Sequence, residues 1–143
     1  MHRRPLGRGR RLAAIAALVI LVGCFLPWWQ LGGGGTLPPE TGNAFDASGI
    51  LVVFIALATI ALFTLPYATE RPVGIDRALS YAALTIVGWV GVGLRIFDLL
   101  TAGGLSAGAI GLPDRSPGLW IVVGGLLLLS RATYEIAGER VYR

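Results

Sequence analysis

Residues 48–66 read SGILVVFIALATIALFTLP, nineteen residues in succession without a charge. A helix rises about 1.5 Å per residue, so roughly 20 apolar residues match a hydrocarbon core of about 30 Å. Backbone removed from water must satisfy its own hydrogen bonds, and for a single stretch of chain only a helix does so. The stretch reads as a membrane-crossing helix, from Ser48 to Pro66. Working outward from it, three further segments meet the same requirement: Leu12–Gln30, Ala78–Asp98 and Gly118–Tyr134. None carries a charge in its central part.

Composition points the same way. The 143 residues are 55% hydrophobic and 14% charged, with a mean hydropathy of +0.71. Soluble domains carry roughly 25% charged residues, so this chain lacks the polar surface for water. The expected fold class is therefore all-α: a single membrane domain over 1–143, an antiparallel four-helix transmembrane bundle with two Gly-rich outer loops. All twelve basic residues are arginine, a bias expected of a genome rich in G and C.

The arginines also set the expected orientation. Arg3, Arg4, Arg8, Arg10 and Arg11 fill the tail 1–11, Arg71 and Arg77 lie in the middle link, and Arg131, Arg140 and Arg143 lie at or in the tail 135–143. The first outer loop, LGGGGTLPPETGNAFDA, has no arginine, and the second, LLTAGGLSAGAIGLPDRSP, has Arg115 alone, with Arg95 near its edge. Positive residues stay in the cytoplasm, so both termini are expected inside, in the inner membrane of a bacterium. The basic cluster at the start reads as an anchor to anionic headgroups, which makes the lipid bilayer the first partner. Its position, rather than the net charge of +4, argues against nucleic acid as a partner. Glycine and proline at the density of these loops argue against long helices or strands within them. The repeated plan of span, Gly-rich loop and span also allows a parallel internal repeat, with SGILVV against PGLWIVV as its textual echo.

A processing alternative stands beside this layout. Leu21-Val22-Gly23-Cys24 matches a lipoprotein cleavage box, which would make Cys24 a lipidated N-terminus and leave three spans. The apolar Phe25-Leu26-Pro27-Trp28-Trp29 that follows is not the usual polar tether, and the run is long enough to cross. The uncleaved helix is the reading adopted, and the mass of the purified protein tests it.

Two groups of residues stand out as candidate sites. Trp28 and Trp29 close the first span, where an aromatic belt at the headgroups is the plain expectation and the wall of an outward pocket the sharper one. On the third span, Tyr81, Gly88, Gly91, Arg95 and Asp98 share one helical face. Glycines there let a neighbouring backbone approach, so Tyr81, Gly88 and Gly91 are expected to form a packing face. Arg95 and Asp98, one turn apart, can pair with each other. The pair reads either as an interfacial lock or, with the tryptophans, as an outer-face site for an anion or headgroup. Glu40, Asp46, Asp98 and Asp114 all fall on the outer side but are scattered singly, without the spacing of a cation site. Asp46 or Ser48 is expected to cap the second span.

Other chemistry lacks its residues. His2 is the lone histidine, Cys24 the lone cysteine, and GGGG is not followed by the lysine and hydroxyl of a phosphate loop. No carboxylate sits at mid-membrane for proton coupling. Thr59, Thr64, Thr85 and Ser130 are single hydroxyls able to bond their own helix backbone. The expectation is a protein that is no enzyme and has no cofactor or metal.

Four short motifs carry a resemblance. FLPWW (25–29) closes the first span, NAFDASGI (43–50) opens the second, LRIFD (94–98) closes the third and PGLWIVVGG (117–125) opens the fourth. In these the chain resembles a loosely related set of small four-helix membrane proteins of unknown function, common in actinobacteria and other high-GC bacteria. The resemblance implies a topology and no activity. Small multidrug transporters fit less well, since they need a carboxylate in the first span, and the intrahelical motifs of fluoride channels and membrane-bound glutathione-type enzymes are missing.

Three functions follow as expectations. The first is an accessory protein that packs against itself or a larger membrane partner. The second is an oligomeric passive channel or small-solute transporter. The third is an outward-facing sensor of lipid or anion.

Overall fold

The computed structural model describes residues 7–32, 38–68, 76–101, 104–105, 107–111 and 113–141. Arg3, Arg4, Arg71 and Arg143, to which the sequence assigns anchoring or topology roles, lie outside them. The elements in chain order are α1 (Arg8–Phe25), strands β1 (Trp29–Leu31) and β2 (Glu40–Gly42), a single 3-10 turn at Ala47–Gly49, then α2 (Ile50–Ala68), α3 (Arg77–Thr101), the short α4 (Ala107–Gly111) and α5 (Pro117–Val141).

Among the described residues, three helices are long and apolar enough to cross a membrane: Ala47–Ala68, Arg77–Thr101 and Pro117–Gly138. The helix of the first expected span differs. It is 18 residues long, and its first turn holds Arg8, Arg10 and Arg11. It stops at Phe25 rather than running on to Gln30, because Leu26 turns to an extended conformation and Pro27 follows, whose ring cannot continue a helix. At about 1.5 Å per residue, the arginine-free part spans only about 20 Å.

The helices begin where sequence chemistry lets them. Asp76 starts α3 by accepting the amide of Leu79 on its Oδ1 at 3.1 Å, the usual work of an N-cap. Pro117 occupies the first position of α5, where its missing N–H is of no consequence.

The tightest packing joins α1 to α5 through small residues spaced alternately four and three apart. On α1 these are Gly9, Ala13, Ala16 and Gly23, with Ile20 among them, all buried. Across the seam Gly9 faces Ile136, Gly125 faces Ile20 and Gly23 faces Val122. Each step forward on α1 is matched by an equal step back on α5, so the two run in opposite directions with a repeat near 3.5 residues. A Cβ on Gly125 would lie 2.6 Å from Ile20 Cγ1, and one on Gly23 2.8 Å from Val122 Cγ2. Backbones this close are the usual outcome of small residues on membrane helices.

The third helix packs on two neighbours. Gly91 meets Val52 and Leu51, while Gly88 meets Ile55 and the tip of Leu126. Thr85 and Thr133 hydroxyls lie 3.0 Å apart across α3 and α5, and the Trp89 indole N–H donates to Ser130 at 3.2 Å. Thr59, Thr64, Thr85 and Ser130 also bond carbonyls of their own helices.

Large apolar side chains face outward along every long helix: Leu18 and Val22 on α1, Phe54 on α2, Ile86 and Phe97 on α3, Leu127 on α5. The interior holds alanine and glycine alongside Ile20, Val52, Tyr81, Val122, Leu126 and Leu129, with Thr59, Thr85, Arg95 and Ser116 as its polar members. In water this distribution would leave a large apolar surface uncovered; in lipid it is the stable one.

Candidate functional site

Arg95, Asp98, Asp46 and Ser48 gather at one end, where α1, α3 and the start of α2 meet the loops. The first loop leaves α1 through Pro27 and forms a two-stranded antiparallel hairpin, with Trp29 opposite Gly42 and Leu31 opposite Glu40. The Trp29 indole lies flat against Gly42, leaving no room there for a side chain. The hairpin is tied to the helices by backbone bonds: Trp28 N–H to Gly42 O at 2.8 Å, Ala44 N–H to Cys24 O at 3.3 Å and Gly118 N–H to Pro27 O at 2.9 Å.

The two tryptophans of the first span part company here. Trp28 is fully enclosed and its indole N–H donates to Gly23 O at 3.0 Å. It closes the end of the α1–α5 seam rather than facing the headgroups, because its N–H finds a carbonyl freed by the end of α1. Trp29 is half-buried, and its indole nitrogen has no hydrogen-bond partner among the described residues.

Arg95 and Asp98 both lie where α3 meets the loop entering α2, yet neither takes the other as partner among the described residues. Arg95 is 6% exposed; its Nη2 lies 3.9 Å from Asp46 Oδ2, while its Nε is buried without a partner. Asp98 accepts a short hydrogen bond from the Ser48 hydroxyl. One segment, Asp46-Ala47-Ser48, thus clasps α3 at two points a turn apart. The remaining acidic residues of this side stay apart from it, and Glu40 and Asp114 are exposed.

This clasp changes the expected roles of Asp46 and Ser48. Asp46 precedes the 3-10 turn but makes no side-chain cap; its carboxylate accepts the amide of Asn43 at 3.2 Å and faces Arg95. Between the two clasping residues, Ala47 has φ 47°, a left-handed conformation that costs an alanine roughly 1–2 kcal/mol. The attachments on either side hold it there. The sequence reading placed Arg95 and Asp98 on the correct turn of α3 but found no partners for them in NAFDAS. Nothing local signals that pairing, which joins residues about fifty positions apart in the chain.

Beside the clasp, a cavity of about 280 Å³ is lined by Phe25, Pro27, Thr41, Gly42, Asn43 and Asp46. Tyr81, Gly88 and Gly91, the other residues of the same face of α3, are buried between helices. Arg8, Arg10 and Arg11 sit at the opposite end, where Gly9 packs on Ile136.

Compared with protein-family models, with curated proteins and with solved structures, the chain matches none. The functional reading therefore stands on its own geometry.

Proposed function

We propose that this chain is a non-enzymatic integral protein of the bacterial inner membrane that acts by packing against a protein partner. In this reading α1, α2, α3 and α5 form an antiparallel four-helix bundle, the arginine-rich ends face the cytoplasm, and the hairpin with its clasp faces outward. The carrying observation is the apolar exterior: large apolar side chains face outward on all four long helices, and three of these are long and apolar enough to cross a membrane. Arg8, Arg10 and Arg11 make α1 a short span whose guanidinium groups reach the headgroups, an arrangement long basic side chains permit.

Packing against a partner is supported by the outward glycines. Gly93 and Gly124 have no atom within 4 Å of where a Cβ would stand, so each leaves a flat place between larger apolar neighbours. Flat places on a membrane helix admit a second helix at close range. Cross-linking in native membranes followed by gentle extraction tests the reading. A specific adduct should form and should weaken in Gly93→Leu or Gly124→Leu; a lone monomer in both wild type and variants counts against it. Tags on either terminus should be unreachable from outside intact cells.

The partnerless Nε of Arg95 favours one alternative, an outward-facing sensor that takes an anion or headgroup at the clasp. Thermal shift with phosphate and anionic lipid, lost in Arg95→Met, would support it over the accessory role.

A further inference from the structure

The second and third helices are clasped at one end and part toward the other. Past Gly88, α3 offers no glycine until it begins at Arg77, so α2 cannot stay close. The two leave a groove of about 470 Å³ lined chiefly by Ala58, Ala61, Leu65, Ser80, Ala83 and Val87. Its lining is apolar apart from Ser80, whose hydroxyl already donates to Asp76 O at 2.9 Å. Nothing polar is free in it to orient a polar ligand.

The lining narrows the choice of occupant. Residues 58–65 of α2 extend about 10 Å, and over that length both walls of the groove are apolar but for Ser80. A polymethylene chain suits such a slot, having no polar group to satisfy.

The mouth of the groove supplies a charge. Arg77, the first residue of α3, lies one turn from Ser80 and is exposed. It has no ion pair among the described residues, and the neighbouring Asp76 carboxylate is turned onto the amide of Leu79. Each cation near a membrane surface raises the affinity for anionic lipid.

We propose that the groove between α2 and α3 holds one acyl chain of an anionic glycerophospholipid whose phosphate rests on Arg77. The proposal rests on the membrane reading and is independent of the accessory role. The purified full chain, in mild detergent with equal amounts of phosphatidylglycerol and phosphatidylcholine, should retain one phosphatidylglycerol by native mass spectrometry. Arg77→Gln, at an exposed position that folding does not depend on, should lower the ratio of phosphatidylglycerol to phosphatidylcholine by about five-fold. Ala61→Phe, which fills the groove, should abolish retention of both. A membrane-bound, monodisperse chain that retains no lipid overturns the proposal alone, as does an unchanged ratio in Arg77→Gln. Ala61→Cys chains that cross-link to each other in native membranes would assign the groove to a second copy and overturn it too. A chain absent from the membrane fraction would overturn the membrane reading, and this proposal with it.

Discussion

The α1–α5 seam and the α2–α3 pair are built from similar residues, yet one is closed along its length and the other opens. On the seam, buried residues recur every three or four positions from Gly9 to Gly23, and each close contact sets a small residue against a bulky one: Gly9 and Gly23 against Ile136 and Val122, Ile20 against Gly125. Between α2 and α3, the glycines that meet the partner helix are Gly88 and Gly91, and beyond them alanines stand on both walls (Ala58 and Ala61 against Ala83) among Leu62, Leu65, Leu84 and Val87. A small residue opposite a large one closes a helix pair, whereas small opposite small leaves a groove. The difference lies in how small residues are distributed between partners rather than in how many there are.

The largest test of this contrast compares the same kind of enlargement in both places. Gly125→Leu drives a side chain into Ile20 and should destabilise the chain by about 3 kcal/mol or more. Ala61→Leu, directed into the open groove, should change stability by no more than about 0.5 kcal/mol. Unfolding in mixed micelles measures both, and equal losses would break the contrast.

The clasp at the closed end of α2–α3 comes next. Asp46→Asn leaves the Arg95 guanidinium without its counter-charge; because Asp46 is half exposed and 3.9 Å away, the expected loss is about 1 kcal/mol, well under that of a fully buried pair. Ala47→Gly should act in the opposite sense and stabilise by about 1 kcal/mol, since glycine adopts a positive φ without strain. If Ala47→Gly destabilises instead, the alanine methyl contributes something to the clasp that its backbone does not explain.

The smallest effect belongs to the polar link between α3 and α5. Thr85→Val removes the hydroxyl contact with Thr133, and such bonds between membrane helices are worth about 0.6 kcal/mol on average. A loss several times larger would mean that α3 depends on hydroxyls more than on its glycines.

Much of the fold was legible in the chain itself. The stretch 48–66 and its counterparts announced long apolar helices, and three are present with the required length. The 4-3 spacing of Gly9, Ala13, Ala16, Ile20 and Gly23 was also open to reading, but it is hidden in a run where almost every residue is apolar. In such a run a facing stripe does not stand out against the lipid-facing residues. The early end of α1 was signalled by Pro27, though the apolar Trp28-Trp29 disguised a hairpin as a continuing span. The candidate site was legible only as a face of α3.

Sequence alone determined that the chain carries helices long and apolar enough to cross a bilayer, because charge is sparse and apolar runs reach a bilayer's thickness. It also determined which turn of α3 carries the charged pair. Tertiary structure decided the rest: that Arg95 turns to Asp46 and Asp98 to Ser48, that Trp28 faces inward, and that α2 and α3 part below Gly88. Each of these depends on which helices are neighbours and at what height they meet. Lipid makes all apolar faces equivalent, so hydrophobic pattern cannot choose among them; close packing of small against large does.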